Sequence, residues 1–93
     1  MKEYRYRTTI VRNGEMDAGY VVFPYDLRAE TGKGRLHVKA AFDGVPYEGS
    51  IVNMGLRNAD GSICYIIGVT KEIRRKTGKS FGDEVDVVVT AEV

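Results

Sequence analysis

The sequence predicts an all-β domain, mostly strand with two short helical turns, folded as one small barrel of two related halves over residues 1–93. Three observations lead there. Apolar and polar residues alternate with a period of two along much of the chain. Dipeptides of the Asn-Gly and Asp-Gly kind separate the alternating runs. A segment in the first half is echoed 46 residues later in the second.

In order along the chain, Glu3 to Val11 sets Tyr4, Tyr6, Thr8 and Ile10 against Glu3, Arg5, Arg7 and Thr9, a strand with one buried face. Asn13-Gly14 then suits a tight turn, since both residues tolerate positive φ. Tyr20-Val21-Val22-Phe23 reads as a strand buried on both faces. Pro24 to Thr31 leaves the β pattern: proline suits a first helical position and Gly32 a C-cap, which predicts one or two helical turns. From Arg35 to Phe42, Leu36, Val38, Ala40 and Phe42 share a face opposite Arg35, His37 and Lys39. Asp43-Gly44 turns the chain into a strand over Pro46 to Asn53, and Asp60-Gly61 turns it again. Ile63 to Ile67 is the second run predicted to be buried on both faces. Thr70 to Thr77 opens on an N-cap threonine and stops at Gly78. In the last strand Val85, Val87, Val89 and Ala91 alternate with Glu84, Asp86, Val88 and Thr90. Eleven glycines fit a barrel with sharp corners.

The echo lays Val21–Gly34 on Ile67–Ser80. Arg28 falls on Arg74, Thr31 on Thr77, Gly32 on Gly78 and Lys33 on Lys79, four identities in fourteen where average usage gives about one. Both copies run from an apolar strand through a short helix ending in Thr-Gly-Lys to another strand. This is the pattern of a strand–helix–strand duplication, in which a lone chain is its own pseudo-dimer.

Composition narrows the function classes. Fourteen Lys and Arg against thirteen Asp and Glu leave a net charge of +1, unlike the basic excess of a protein devoted to nucleic acid. The single cysteine, Cys64, has no internal disulfide partner, which fits a reducing cytoplasm. The opening Met1–Arg7 has no signal-peptide core, and no apolar run is long enough to span a membrane. The expectation is a cytoplasmic protein with no membrane partner.

Two resemblances follow from the motifs. Val69-Thr70-Lys71-Glu72-Ile73-Arg74 followed by Gly82-Asp83-Glu84-Val85-Asp86-Val87 resembles the swapped-hairpin transcription factors of the AbrB and MazE type. That resemblance implies a DNA-binding pseudo-dimer. Over nearly the whole chain, Val21–Arg28, Gly34–Lys39, Phe42–Tyr47 and Lys71–Gly78 come in an order similar to the DUF1905 family. This is an uncharacterised bacterial domain, often fused ahead of a bacteriocin-protection domain of the YdeI/OmdA-like kind. The likeness implies a double-split β-barrel and no activity. Where that family usually has a glycine-rich loop, this chain has Arg57-Asn58-Ala59-Asp60-Gly61-Ser62.

The candidate site residues are basic. Lys71, Arg74, Arg75, Lys76 and Lys79 stand against Glu72 alone around the second helical segment, and Arg28, Lys33, Arg35 and Lys39 against Glu30 around the first. Arg28, Lys33, Arg35, Arg74, Arg75 and Lys79 are therefore the candidates for an anion or an acidic partner. The competing reading is a solvated helix face with cations near its C-terminus, neutralised by Asp83, Glu84, Asp86 and Glu92. Arg28 and Arg74 could equally brace their helical turns by pairing with carboxylates such as Asp26 or Asp86.

No catalytic, metal or cofactor set is predicted. Gly78-Lys79-Ser80 lacks the glycine a P-loop needs five positions earlier, where Ile73 stands. His37, the only histidine, falls on the polar face with Arg35 and Lys39 and has no orienting partner. Cys64 reads as a buried, inert thiol. The six tyrosines read as core filling with hydroxyls at the rim. The expected function is a non-catalytic binding or accessory domain of unknown partner, nucleic acid and an acidic protein being the candidates. A DNA-binding pseudo-dimer is the alternative, and a small-molecule-binding domain or enzyme is less favoured.

Overall fold

The structure is a computed structural model and describes residues 1–92. Strands β1 (Lys2–Thr9), β2 (Val11–Arg12) and β3 (Gly19–Phe23) lead into helix α1 (Leu27–Thr31). Strands β4 (Leu36–Phe42), β5 (Val45–Arg57) and β6 (Ile63–Val69) lead into α2 (Lys71–Thr77), and β7 (Glu84–Ala91) follows. The strands form one antiparallel sheet in the order β1-β7-β4-β5-β6-β3-β2.

The ends of that order are consecutive in the chain. β1 pairs with β7 and β2 with β3, and only Ile10 lies between them. Its N–H donates to Asp83 O at 2.9 Å, and its carbonyl accepts from Gly82 N at 2.8 Å. β5 behaves alike, pairing with β4 up to Ile51 and with β6 from Ile51 onward. Two strands that change partner midway curl the sheet into a split barrel. Ile10 and Ile51, where the changes occur, are 1% and 0% exposed.

Alternation fills the interior. Val38, Ala40 and Phe42 of β4 and Val85, Val87, Val89 and Ala91 of β7 are buried, as are Val21 and Phe23 of β3 and Tyr65, Ile67 and Val69 of β6. Each large side chain so buried contributes about 1.5–3 kcal/mol. β1 and β3 share no ladder, and there Tyr4, Tyr6, Phe23 and Tyr25 pack ring on ring with centroids 5.0–6.2 Å apart.

Residues aligned in sequence stand in matching places. Val21 pairs directly with Ile67, and Leu27 and Ile73 are the buried helix residues. The hydroxyls of Thr31 and Thr77 donate to the carbonyls four residues back, Leu27 O and Ile73 O, at 2.8 and 2.9 Å. Gly32 and Gly78 cap their helices at φ 77° and 71°. On the far side Ala41 pairs with Val88, one residue further out of step than the helices.

Several expected boundaries move. The first strand breaks at Ile10 because the chain changes partner there. Asn13-Gly14 opens a longer loop closed by Asn13 N to Ala18 O, not a two-residue turn. Tyr20 and Val22 are only half-buried, since they face outward from the barrel, whereas β6 is buried from Cys64 to Ile67. Asp26 is the N-cap of α1, its side chain accepting from Ala29 N, so Pro24 lies outside the helix. Tyr25 is 39% exposed and is not core filling. Among the described residues no helix is long and apolar enough to cross a membrane.

Candidate functional site

The two aligned arginines meet opposite fates. Arg74 follows Ile73 on α2, and both are buried. Its Nη2 donates to Asp17 Oδ1 at 3.0 Å and to the Asp17 carbonyl at 3.1 Å. The guanidinium carbon lies 4.5 Å from the ring centroid of Phe81, within cation–π range. Gly19 lets that ring settle, because a Cβ there would stand 3.0 Å from Phe81 Cε1. Arg74 is left 8% exposed and is the one charged residue buried among those described. The Arg74 hydrogen bond holds the Asp17 carboxyl below its ordinary range, with Lys71, 3.6 Å away, adding to the pull.

Arg28 follows the buried Leu27 on α1 and makes no ion pair with any described residue. Where Arg74 has Phe81 against it, Arg28 has Gly34: a Cβ on Gly34 would stand 2.7 Å from Arg28 Nη2. Arg28 also lines an open cleft of about 650 Å³, together with Tyr25, Tyr65, Asn58, Asp60 and Ser62. Asp26 is in the same wall.

Most polar groups of the wall are already engaged by their own segments. The Asp26 carboxylate caps α1. Asp60 accepts from the backbone N–H and hydroxyl of Ser62, and these bonds hold its carboxyl below the ordinary range. Asn58 Nδ2 donates to Ser62 Oγ and Ile63 O. The cation with donors to spare is Arg28, whose planar fork suits a carboxylate or phosphate.

The remaining predicted site residues are dispersed. Lys33 and Arg35 are exposed beyond the end of α1, and the Lys33 N–H donates to Thr31 Oγ1. Arg75 is exposed and lines a separate shallow depression with Lys71 and Glu72. Lys79 lies 3.8 Å from Asp43. The carboxylates expected to neutralise the second basic segment are engaged elsewhere: Glu84 and Asp86 with Arg7, and Asp83 with Ser80 N. Arg74 is braced by a carboxylate, and that carboxylate is Asp17 instead of Asp86.

Three residues that shape the site escaped sequence reading: Asp17, Phe81 and Gly34. The one available signal was the aromatic after Thr77-Gly78-Lys79-Ser80, set against the glycine directly after Thr31-Gly32-Lys33. His37 is exposed on β4 and Cys64 is buried on β6. Among the described residues no three His, Cys, Asp or Glu gather as metal ligands. Among the described residues two buried side-chain polar atoms lack partners, Tyr6 Oη and Arg74 Nε.

Among family models, that of a domain of unknown function (DUF1905) matches residues 6–89. No curated protein matches the chain.

Proposed function

The chain belongs to the DUF1905 family of unknown function, and we propose that it is a non-catalytic binding domain whose ligand site is the Arg28 cleft. One observation carries the reading. Of two matched arginines, Arg74 is paired with Asp17 and covered by Phe81, while Arg28 lines an open cleft without an ion-pair partner among the described residues. The two halves act as an internal repeat in which one end fills itself and the other takes a partner. The buried Cys64 agrees with a reducing compartment, the bacterial cytoplasm.

The ligand group is a carboxylate. Asp26 and Asp60 in the same wall repel a dianion more strongly than a monoanion, which works against phosphate. A duplex-DNA surface would need Arg28, Lys33, Arg74 and Lys79 free together, yet Arg74 and Lys79 lie beside Asp17 and Asp43.

Titration with sodium acetate, followed by amide chemical shifts, tests the reading. The expected result is saturable shifts at Tyr25, Arg28, Gly34 and Ser62 that disappear in Arg28→Ala and persist in Arg75→Ala. Shifts scattered over all basic residues alike would overturn it.

A further inference from the structure

We infer that the Arg28 cleft receives an acidic residue of a peptide together with an aromatic neighbour, so that one half of the barrel takes from a partner what the other half supplies itself. This rests on the cleft being the binding site. The molecule contains its own template for the occupant. What sits on Arg74 is an aspartate within a peptide chain, bound through its carboxylate at 3.0 Å and its main-chain carbonyl at 3.1 Å. What covers that guanidinium is an aromatic ring at 4.5 Å.

On Arg28 both elements are lacking: among the described residues it has no ion-pair partner and no ring over its guanidinium, and it lines the cleft. At about 650 Å³ the cleft falls in the range of ligand sites and exceeds what a lone carboxylate fills. Tyr25, 39% exposed, offers a ring face and edge for an aromatic side chain. The carboxylates of Asp26 and Asp60 are acceptors beside Arg28, and the amide N–H groups of a peptide are donors that match them. A monoanion carrying N–H donors and a ring satisfies cation, acceptors and aromatic wall together. Inorganic phosphate and acetate satisfy only the first.

The test titrates N-acetyl-Asp-Phe-amide into the full chain and compares it with N-acetyl-Asn-Phe-amide, acetate and inorganic phosphate by amide chemical shifts. The Asp-Phe probe is expected to saturate the cleft signals at millimolar concentration, at least ~10-fold more tightly than acetate or the Asn-Phe probe, the equivalent of about 1.4 kcal/mol. Gly34→Ala, whose Cβ would stand 2.7 Å from Arg28 Nη2 and displace the guanidinium, is expected to weaken binding of the Asp-Phe probe at least ~10-fold. Should that variant not fold, Arg28→Gln, altered at an exposed side chain, must abolish binding. Equal binding of acetate, phosphate and the Asp-Phe probe overturns the acidic-peptide assignment and leaves the cleft a plain anion site. Silence of the cleft signals with every probe overturns the site itself.

Discussion

Tyr6 carries a hydroxyl that is buried and bonded to nothing, and burial pushes its phenol above the ordinary range. A buried, unsatisfied polar group costs about 1–3 kcal/mol. Tyr6→Phe keeps the ring contacts with Phe23 and Tyr25, and it is expected to raise unfolding stability by ~1 kcal/mol in urea titration. Asp17 gives a pH dependence. Its carboxyl is depressed in the folded state, so the stability it adds is present above the unfolded value of about 3.9 and is lost as pH falls through the folded one. Asp17→Asn should therefore lower the melting temperature near neutral pH and flatten the acid limb of a melting profile below the unfolded carboxylate value; an unchanged acid limb would refute the pairing. This pair was not legible in the sequence, because its partners are 57 residues apart and meet only through tertiary structure. Asp86, one of the two carboxylates the sequence offered, is instead assigned by the cross-strand register to Arg7.

At the scale of elements, what was legible was local chemistry. Thr70 as N-cap and the glycine stops at Gly32 and Gly78 were readable because a cap is decided within four or five residues. Pro24 misled for a related reason: Asp26, two positions on, offers a side-chain oxygen to Ala29 N and fixes the start of α1 there. The break at Ile10 was hidden, since alternation runs through it undisturbed while the pairing partner changes. Two substitutions test the caps of α2 by denaturant unfolding. Thr70→Ala removes the acceptor for Ile73 N and should cost ~1 kcal/mol. Gly78→Ala places a Cβ at φ 71° and should cost ~1 kcal/mol, through backbone strain alone, since a Cβ there meets no neighbour.

For the whole molecule, the pairing that closes the barrel defines an alternative chain order. β1 with β2 stands to β7 and β3 as β5 stands to β4 and β6. Read from β3, the chain is β3-α1-β4-β5 followed by β6-α2-β7-β1. A circular permutant opened in the loop between Asn13 and Ala18, with a short linker joining β7 to β1, is expected to fold to the same circular dichroism spectrum and cooperative melt. Lys2 already lies opposite Ala91, so the linker spans little distance. A permutant that stays unfolded would argue against the repeat. The strand–helix–strand echo was legible because its capping residues recur. The cleft was not, since its wall joins Tyr25, Asp26 and Arg28 to Asn58, Asp60 and Ser62, segments distant in the chain that meet only through the fold.

The partner change at Ile10 also bears on how the protein behaves in a crowded solution. A sheet that ends where it began gives another chain few bare edges on which to add a strand. The stretch where that protection thins is Met54 to Leu56: the β5–β6 register slips between Asn53 and Arg57, and Met54 and Leu56 are 54% and 38% exposed. If the protein aggregates, intermolecular β-pairing would begin there and spare the ring.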